Sequence, residues 1–255
     1  SLTQPVYKFV LNNENDFAVD TVFVKNNYTT KDSLSLKFYA IQLYQELIAF
    51  HLNSAFKEAL LDIDLARINF VYDNNILSNK KDLYYKSLIY LTDKYKEIPH
   101  SSMACFYLAQ YYKQQGEKYD SDASDEFKWD TKKALQICDS ISIKYPDAVG
   151  TFDCLKLKAE ILSRSLSMQV ENSNLANEPF RVLVSYKNIN KIFLRVIEWN
   201  DSLEAITESY NTEKIVDFYK AQPVIKEWSV VLPDKEDYQN HWTEIIIPAL
   251  PFGKY

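Results

Sequence analysis

The spacing of apolar residues changes once along this chain, near Ser167, and that change limits what it can fold into. Before it, apolar side chains recur every third or fourth position, the repeat of a helix with one buried stripe. After it they alternate, the repeat of a half-buried strand. One switch of period predicts a multidomain chain, α then β. We expect an extended lead-in over 1–33, a helical repeat-like domain over 34–166 and a β-sandwich over 167–255. At 255 residues, each part is large enough for its own core.

In the helical part, "SLSLKFYAIQLYQELIAFHL" puts Leu36, Tyr39, Ala40, Leu43, Leu47 and Phe50 on one stripe, in a helix starting after a Ser33 cap and stopping near Asn53. "SAFKEALLDIDLARINFVYD" follows with almost no loop. "KDLYYKSLIYLTDKY" and "SSMACFYLAQYYKQQ" form a second pair, broken by Pro99 and closed by Gly116 at the position after the helix. "ALQICDSISIKYPDAVGTFDCLKLKAEIL" gives a third, with Ala134, Leu135, Cys138, Ile141 and Tyr145 on one face and Phe152, Leu155, Ala159, Leu162 and Leu166 on the next. Short loops make neighbours antiparallel, and no single pair buries its own stripe, so the pairs stack as an α-solenoid. Leu88, Tyr95 and Ala109 recur fifty residues later as Cys138, Tyr145 and Ala159. This resembles a tetratricopeptide (TPR-like) hairpin, lengthened beyond that family's repeat of about 34 residues by the acidic loop "GEKYDSDASDEF".

In the β part, "SMQVEN" reads as a short strand. "EPFRVLVSY" alternates Phe180, Val182, Val184 and Tyr186 against Arg181, Leu183 and Ser185, and "KNIN" is a turn into "KIFLRVIEW". "LEAITESYNTEKIVDFYKAQ" reads as a helical or irregular insertion before two further strands, "PVIKEWSVVLP" and "NHWTEIIIPALP". Several short strands with turn punctuation predict a sandwich, fibronectin-III-like, cut within its final strand after Phe252. "VYKFV" and "FAVDTVFVK" near the start also alternate, with no partner strand to assign.

Signals for chemistry are sparse. The net charge of -6 and basic residues no more clustered than Lys80-Lys81 and Lys132-Lys133 argue against nucleic acid. No apolar run approaches the roughly 20 residues of a membrane span, and "SLTQPVYKFV" lacks a signal-peptide pattern. Cys105, Cys138 and Cys154 fall on apolar helix positions and read as buried thiols, with a Cys138–Cys154 bridge as the alternative. His51, His100 and His241 have no companion at catalytic or ligand spacing. Asp120, Asp122 and Ser124 start like an EF-hand loop, but Asp125 replaces its glycine and Thr131 its bidentate glutamate. A loop capping the next helix through Ser124 or Asp125 fits better. Asp64 and Arg67, three apart on a helix, read as a surface pair. The glycan tripeptides at Asn27 and Asn200 are of a kind common by chance. No catalytic, cofactor-binding or metal-binding residue is assigned. Tyr84, Tyr85, Tyr90, Tyr107, Tyr111 and Tyr112 are too many for one buried stripe, and Tyr107, Tyr111 and Tyr112 are the candidate partner surface. Packing between helices, with hydroxyls reaching water, is the plainer alternative.

Tyr145-Pro146, Gly150, Cys154, Leu155, the turn Tyr186-Lys187-Asn188 and Arg195 together resemble a segment of large bacterial alpha-2-macroglobulin-like proteins, where a helical region precedes the first macroglobulin β-sandwich. "HWTEIIIPALPFGKY" is similar to the closing hairpin of such a domain, and the likeness covers most of residues 36–255. It implies an envelope protein, in the periplasm or at the surface of a bacterium, that traps or inhibits proteases. Its partners would be neighbouring domains of a longer protein and target proteases. That family's thioester needs Cys-x-Glu-Gln, whereas the three cysteines here are followed by "FYL", "DSI" and "LKL". No reactive residue carries over, and the resemblance implies a non-catalytic structural segment. Two other readings stay open: a TPR-like adaptor holding a peptide or protein in its tyrosine-rich groove, and a carbohydrate-active hydrolase needing two facing carboxylates.

Overall fold

The computed structural model describes residues 7–199, 212–233 and 235–255. The chain divides into two compact units, Ser1–Ile161 and Leu162–Tyr255. The first is helical and the second carries the strands, so a helical block is followed by a β region.

In the helical unit a short helix α1 (Asp20–Phe23) precedes α2 (Leu36–Leu52), α3 (Lys57–Asn74), α4 (Lys80–Lys94), α5 (Ser101–Gly116), α6 (Asp130–Lys144) and α7 (Val149–Leu162). From α2 to α6 each helix packs on the next. The hydroxyls of Tyr85 at the start of α4 and Tyr112 near the end of α5 meet at 2.8 Å, as hairpin geometry requires. Ser35, not Ser33, caps α2 by accepting from the Phe38 amide. Gly116 stays within α5, and the amide of Glu117 closes the helix onto the Lys113 carbonyl. No side chain of Ser124 or Asp125 caps α6; its N-cap residue is Trp129, and Ser124 Oγ accepts from the Glu126 amide within the loop.

The lead-in, described from residue 7, is not extended throughout. Helix α1 stands where "FAVDTVFVK" alternates like a strand, with a 3-10 turn at Glu14–Phe17 just before it. Phe9, Leu11, Phe17 and Phe23 are buried in the same core as Leu61, Ile68 and Leu88. The segment is tied down at several points. The Ile76 amide donates to the Leu11 carbonyl, Ser87 Oγ to the Phe17 carbonyl, and Gln45 Nε2 to the carbonyls of Phe23 and Asn26.

Burying that segment rotates the face α2 uses. The stripe read from the sequence is the outward one: Leu36 and Phe50 are 83% and 75% exposed, while Ile41 and Ile48 are fully buried. The helix is apolar nearly all round, so periodicity offers two stripes, and the lead-in with α3 decides between them. A similar offset occurs on α7, where Cys154, Leu157 and Ile161 are buried and Phe152, Leu155 and Leu162 exposed. Its position is set by Gly150: a Cβ there would lie 2.3 Å from the Ser102 carbonyl carbon, so only glycine lets α7 approach the start of α5. On α6, Ala134, Leu135, Cys138 and Ile141 are buried.

Asp64 and Arg67 form no surface pair; both are about 1% exposed. Arg67 Nη2 lies 2.6 Å from Asp64 Oδ1, Nη1 donates to the Asp16 carbonyl at 2.7 Å, and the guanidinium stacks 4.3 Å from the Phe23 ring centroid. Spacing identified the pair but not the lead-in that covers it.

The second unit contains β1 (Ser165–Gln169), β2 (Phe180–Lys187), β3 (Lys191–Val196), helix α8 (Thr212–Ala221), β4 (Lys226–Val231) and β5 (His241–Ile247). One antiparallel sheet has order β1-β2-β5, with Leu166 opposite Tyr186 and Val182 opposite Ile245; β3 and β4 form a second, antiparallel ribbon. Val182, Val184, Tyr186, Ile245 and Ile247 of the first and Ile192 of the second belong to one core, with Trp228 packed against it. The turn after β2 uses Asn188 at φ 54, a left-handed position that asparagine tolerates. The stretch from Phe252 forms no strand; the Lys254 carbonyl instead accepts from the Trp199 amide. The rest of the expected insertion and the Asn200 tripeptide lie outside the described residues.

Candidate functional site

The tyrosines of the helical unit divide into two groups. Tyr107 and Tyr111 on α5 line a cavity of about 280 Å³ together with Asn69, Tyr72 and Asp73 of α3, Tyr84 of α4, and Gln110 and Gln114. Tyr112 is not part of it: its hydroxyl meets Tyr85 and Lys133 lies over its ring. The structure thus brings two of the three expected surface tyrosines together and puts the third on the flank. Tyr90 is half-buried, with Lys94 over its ring.

Packing fixes the aromatic walls. Tyr72 and Tyr84 stack with centroids 4.3 Å apart, Tyr85 and Tyr111 at 5.2 Å. Tyr84 donates to Asn69 Oδ1 at 2.8 Å, which turns the Asn69 amide nitrogen toward further partners. Burial pushes the phenols of Tyr72, Tyr84 and Tyr111 above their ordinary values, and the Asp73 carboxylate adds to this for Tyr72 and Tyr84. These hydroxyls therefore stay protonated; those of Tyr72 and Tyr111 can both donate and accept, whereas Tyr84 already donates to Asn69. Among the described residues, the hydroxyls of Tyr72, Tyr107 and Tyr111, the amides of Gln110 and Gln114 and the Asp73 carboxylate make no hydrogen bond or ion pair. Asp73 and Gln114 are exposed, so these polar groups open to solvent beside the tyrosine rings.

Sequence reasoning missed Asn69, Tyr72, Asp73, Gln110 and Gln114. The signal was present: Tyr107, Gln110, Tyr111 and Gln114 follow i, i+3, i+4, i+7 spacing, as Asn69, Tyr72 and Asp73 follow i, i+3, i+4. A polar-aromatic stripe at helical spacing was visible, but not that two such stripes line one cavity.

One histidine has a companion that its spacing did not reveal. His241 Nε2 lies 2.8 Å from Asp237 Oδ1 in the β unit, and Asp237 is buried. The Gln239 amide donates to the same oxygen, and the Tyr186 hydroxyl nearby donates to the Pro233 carbonyl. These contacts fasten the 235–240 turn onto β5 and bring no nucleophile to the imidazole. His51 packs edge-on against Phe50, and His100 is exposed before α5.

Cys105, Cys138 and Cys154 are free thiols. Cys138 and Cys154 hydrogen-bond to each other, which holds the Cys138 thiol below its ordinary value and, together with burial, pushes Cys154 well above it. Among the described residues, no group of three His, Cys, Asp or Glu side chains is placed to hold a metal ion. No helix among them is long and apolar enough to cross a membrane. No family model, curated protein or solved structure matches this chain.

Proposed function

We propose that this chain is a non-catalytic structural and interaction segment of an alpha-2-macroglobulin-like envelope protein, acting with neighbouring domains in protease trapping or inhibition. The reading takes the β unit as a macroglobulin-type sandwich, its two antiparallel sheets sharing one core. The observation that carries it is what the resembling residues do. Gly150 permits the close approach of α7 to α5, the Tyr145 hydroxyl donates to the Lys96 carbonyl, Cys154 is buried, and Tyr186 anchors β2 through the Pro233 carbonyl. Each serves to place one element on another, as a scaffold requires. A bacterial periplasm or cell surface is the setting this reading implies. The test is to compare the parent protein with a form lacking this segment, in shielding a large protein substrate from a general protease. Loss of shielding is the expected result; unchanged shielding, or hydrolysis of ester, peptide or glycoside reporters by the purified segment, refutes it.

A second reading is favoured by the Asn69–Tyr107–Gln114 cavity, which a scaffold alone does not require. Here the helical unit is a TPR-like adaptor holding a polypeptide through the side chains of α3 and α5. Its amide and phenol groups offer both donors and acceptors, matching a peptide backbone that carries one of each per residue.

A further inference from the structure

We infer that the cavity between α3, α4 and α5 takes a cationic side chain, arginine above all, projecting from an extended polypeptide; this rests on the adaptor reading above. Asp73 is the charged residue among those lining the cavity, and it forms no ion pair within the described residues. A lone carboxylate beside aromatic faces favours a cation, because ring quadrupoles and negative charge both stabilise positive charge. One lysine beside this wall is already engaged: Lys80 donates to the Tyr72 carbonyl and lies over the Tyr72 ring. It forms no ion pair with Asp73.

Geometry favours arginine over lysine. A guanidinium is flat and carries five donors in a fixed fork. The oxygens of Tyr107, Tyr111, Gln110, Gln114 and Asp73 supply acceptors on several sides of a space of about 280 Å³, enough for one long side chain. The fixed tyrosine walls, already stacked, do not need to reorganise to receive a planar group. Asn69 Nδ2 is left as a donor for a peptide carbonyl.

Equilibrium dialysis of the full chain against synthetic pentapeptide pools provides the test, with the central residue arginine, its neutral near-isostere citrulline, or glutamate. The arginine pool should be retained about 10-fold more strongly than the citrulline pool, as one exposed ion pair plus one cation–π contact predicts. Asp73→Asn, checked for folding by circular dichroism, should remove the ion-pair share and lower arginine retention about 3-fold, leaving it above the citrulline level through the cation–π share, and added salt should lower it in the unchanged protein. Equal retention of the arginine and citrulline pools would overturn the cationic occupant while leaving the adaptor reading intact. If no pool is retained, both fall. Retention of N-acetylglucosamine in place of every pool would reassign the cavity to a sugar.

Discussion

Arg67 is the side chain whose removal should cost most for its size. It is 1% exposed, pairs with the equally buried Asp64, donates to the Asp16 carbonyl and covers Phe23. Arg67→Met fills much of the volume but leaves a buried carboxylate without its cation. Asp64 Oδ2 already lacks a hydrogen-bond partner. Breaking a buried pair from one side costs about 3–5 kcal/mol, whereas replacing both members by apolar residues is close to neutral. We therefore expect Arg67→Met to lower stability by about 4 kcal/mol, roughly a 10 °C fall in Tm for a unit this size. The double variant Asp64→Leu/Arg67→Met should recover most of that. Urea unfolding followed by far-ultraviolet circular dichroism, which is dominated by the helical unit, measures both. The penalty should also depend on pH. Burial raises the Asp64 carboxyl above its ordinary value even against the pull of Arg67. An acid raised in the folded state contributes stability that is complete below its unfolded value and lost as pH climbs through the folded one. Without Arg67 the folded value rises further, so the penalty should be smaller near pH 5 and grow toward pH 7. A cost below about 1 kcal/mol, or a double variant no better than the single, would refute the reasoning.

Three further outcomes follow from the packing. Gly150→Ala places a methyl against Ser102 backbone atoms and should cost about 2 kcal/mol or more in chemical unfolding, whereas Gly253→Ala meets only the Tyr255 side chain and should be nearly neutral. Ile48→Ala should destabilise by about 2–5 kcal/mol and Phe50→Ser by less than about 0.5, measured in the same way; the reverse order would restore the stripe read from periodicity. Burial pushes the Cys105 thiol up to about 11, so its alkylation by iodoacetamide should stay slow through neutral pH and accelerate only in strong alkali; a rate midpoint near an ordinary thiol would contradict this.

Where burial followed from one helix or strand alone, periodicity was enough. Val182, Val184 and Tyr186 face the core and Leu183 does not, because a strand has only two sides. The Ala134–Cys138–Ile141 face is similarly legible. Helix α2 was not, since an all-round apolar surface leaves the choice of face to whatever packs against it, here the lead-in. Asp64 and Arg67 were visible as a pair, but their depth depends on residues some fifty positions earlier. The cavity was half legible: the tyrosines drew notice by number, whereas Asn69, Asp73 and Gln114 acquire meaning only once α3 and α5 are seen to line the same cavity.

The stitched lead-in also bears on how the helical unit forms. A repeat array can grow one hairpin at a time, each new pair completing its predecessor. This unit cannot begin that way, because Phe17 and Asp20 find Ser87 and Lys94 only after some seventy intervening residues have been made. Loop closure over that span precedes the reward of contact, which slows folding relative to a purely local helical stack. Until α4 has been made, Phe17 and Asp20 therefore lack the partners that hold them in the folded unit.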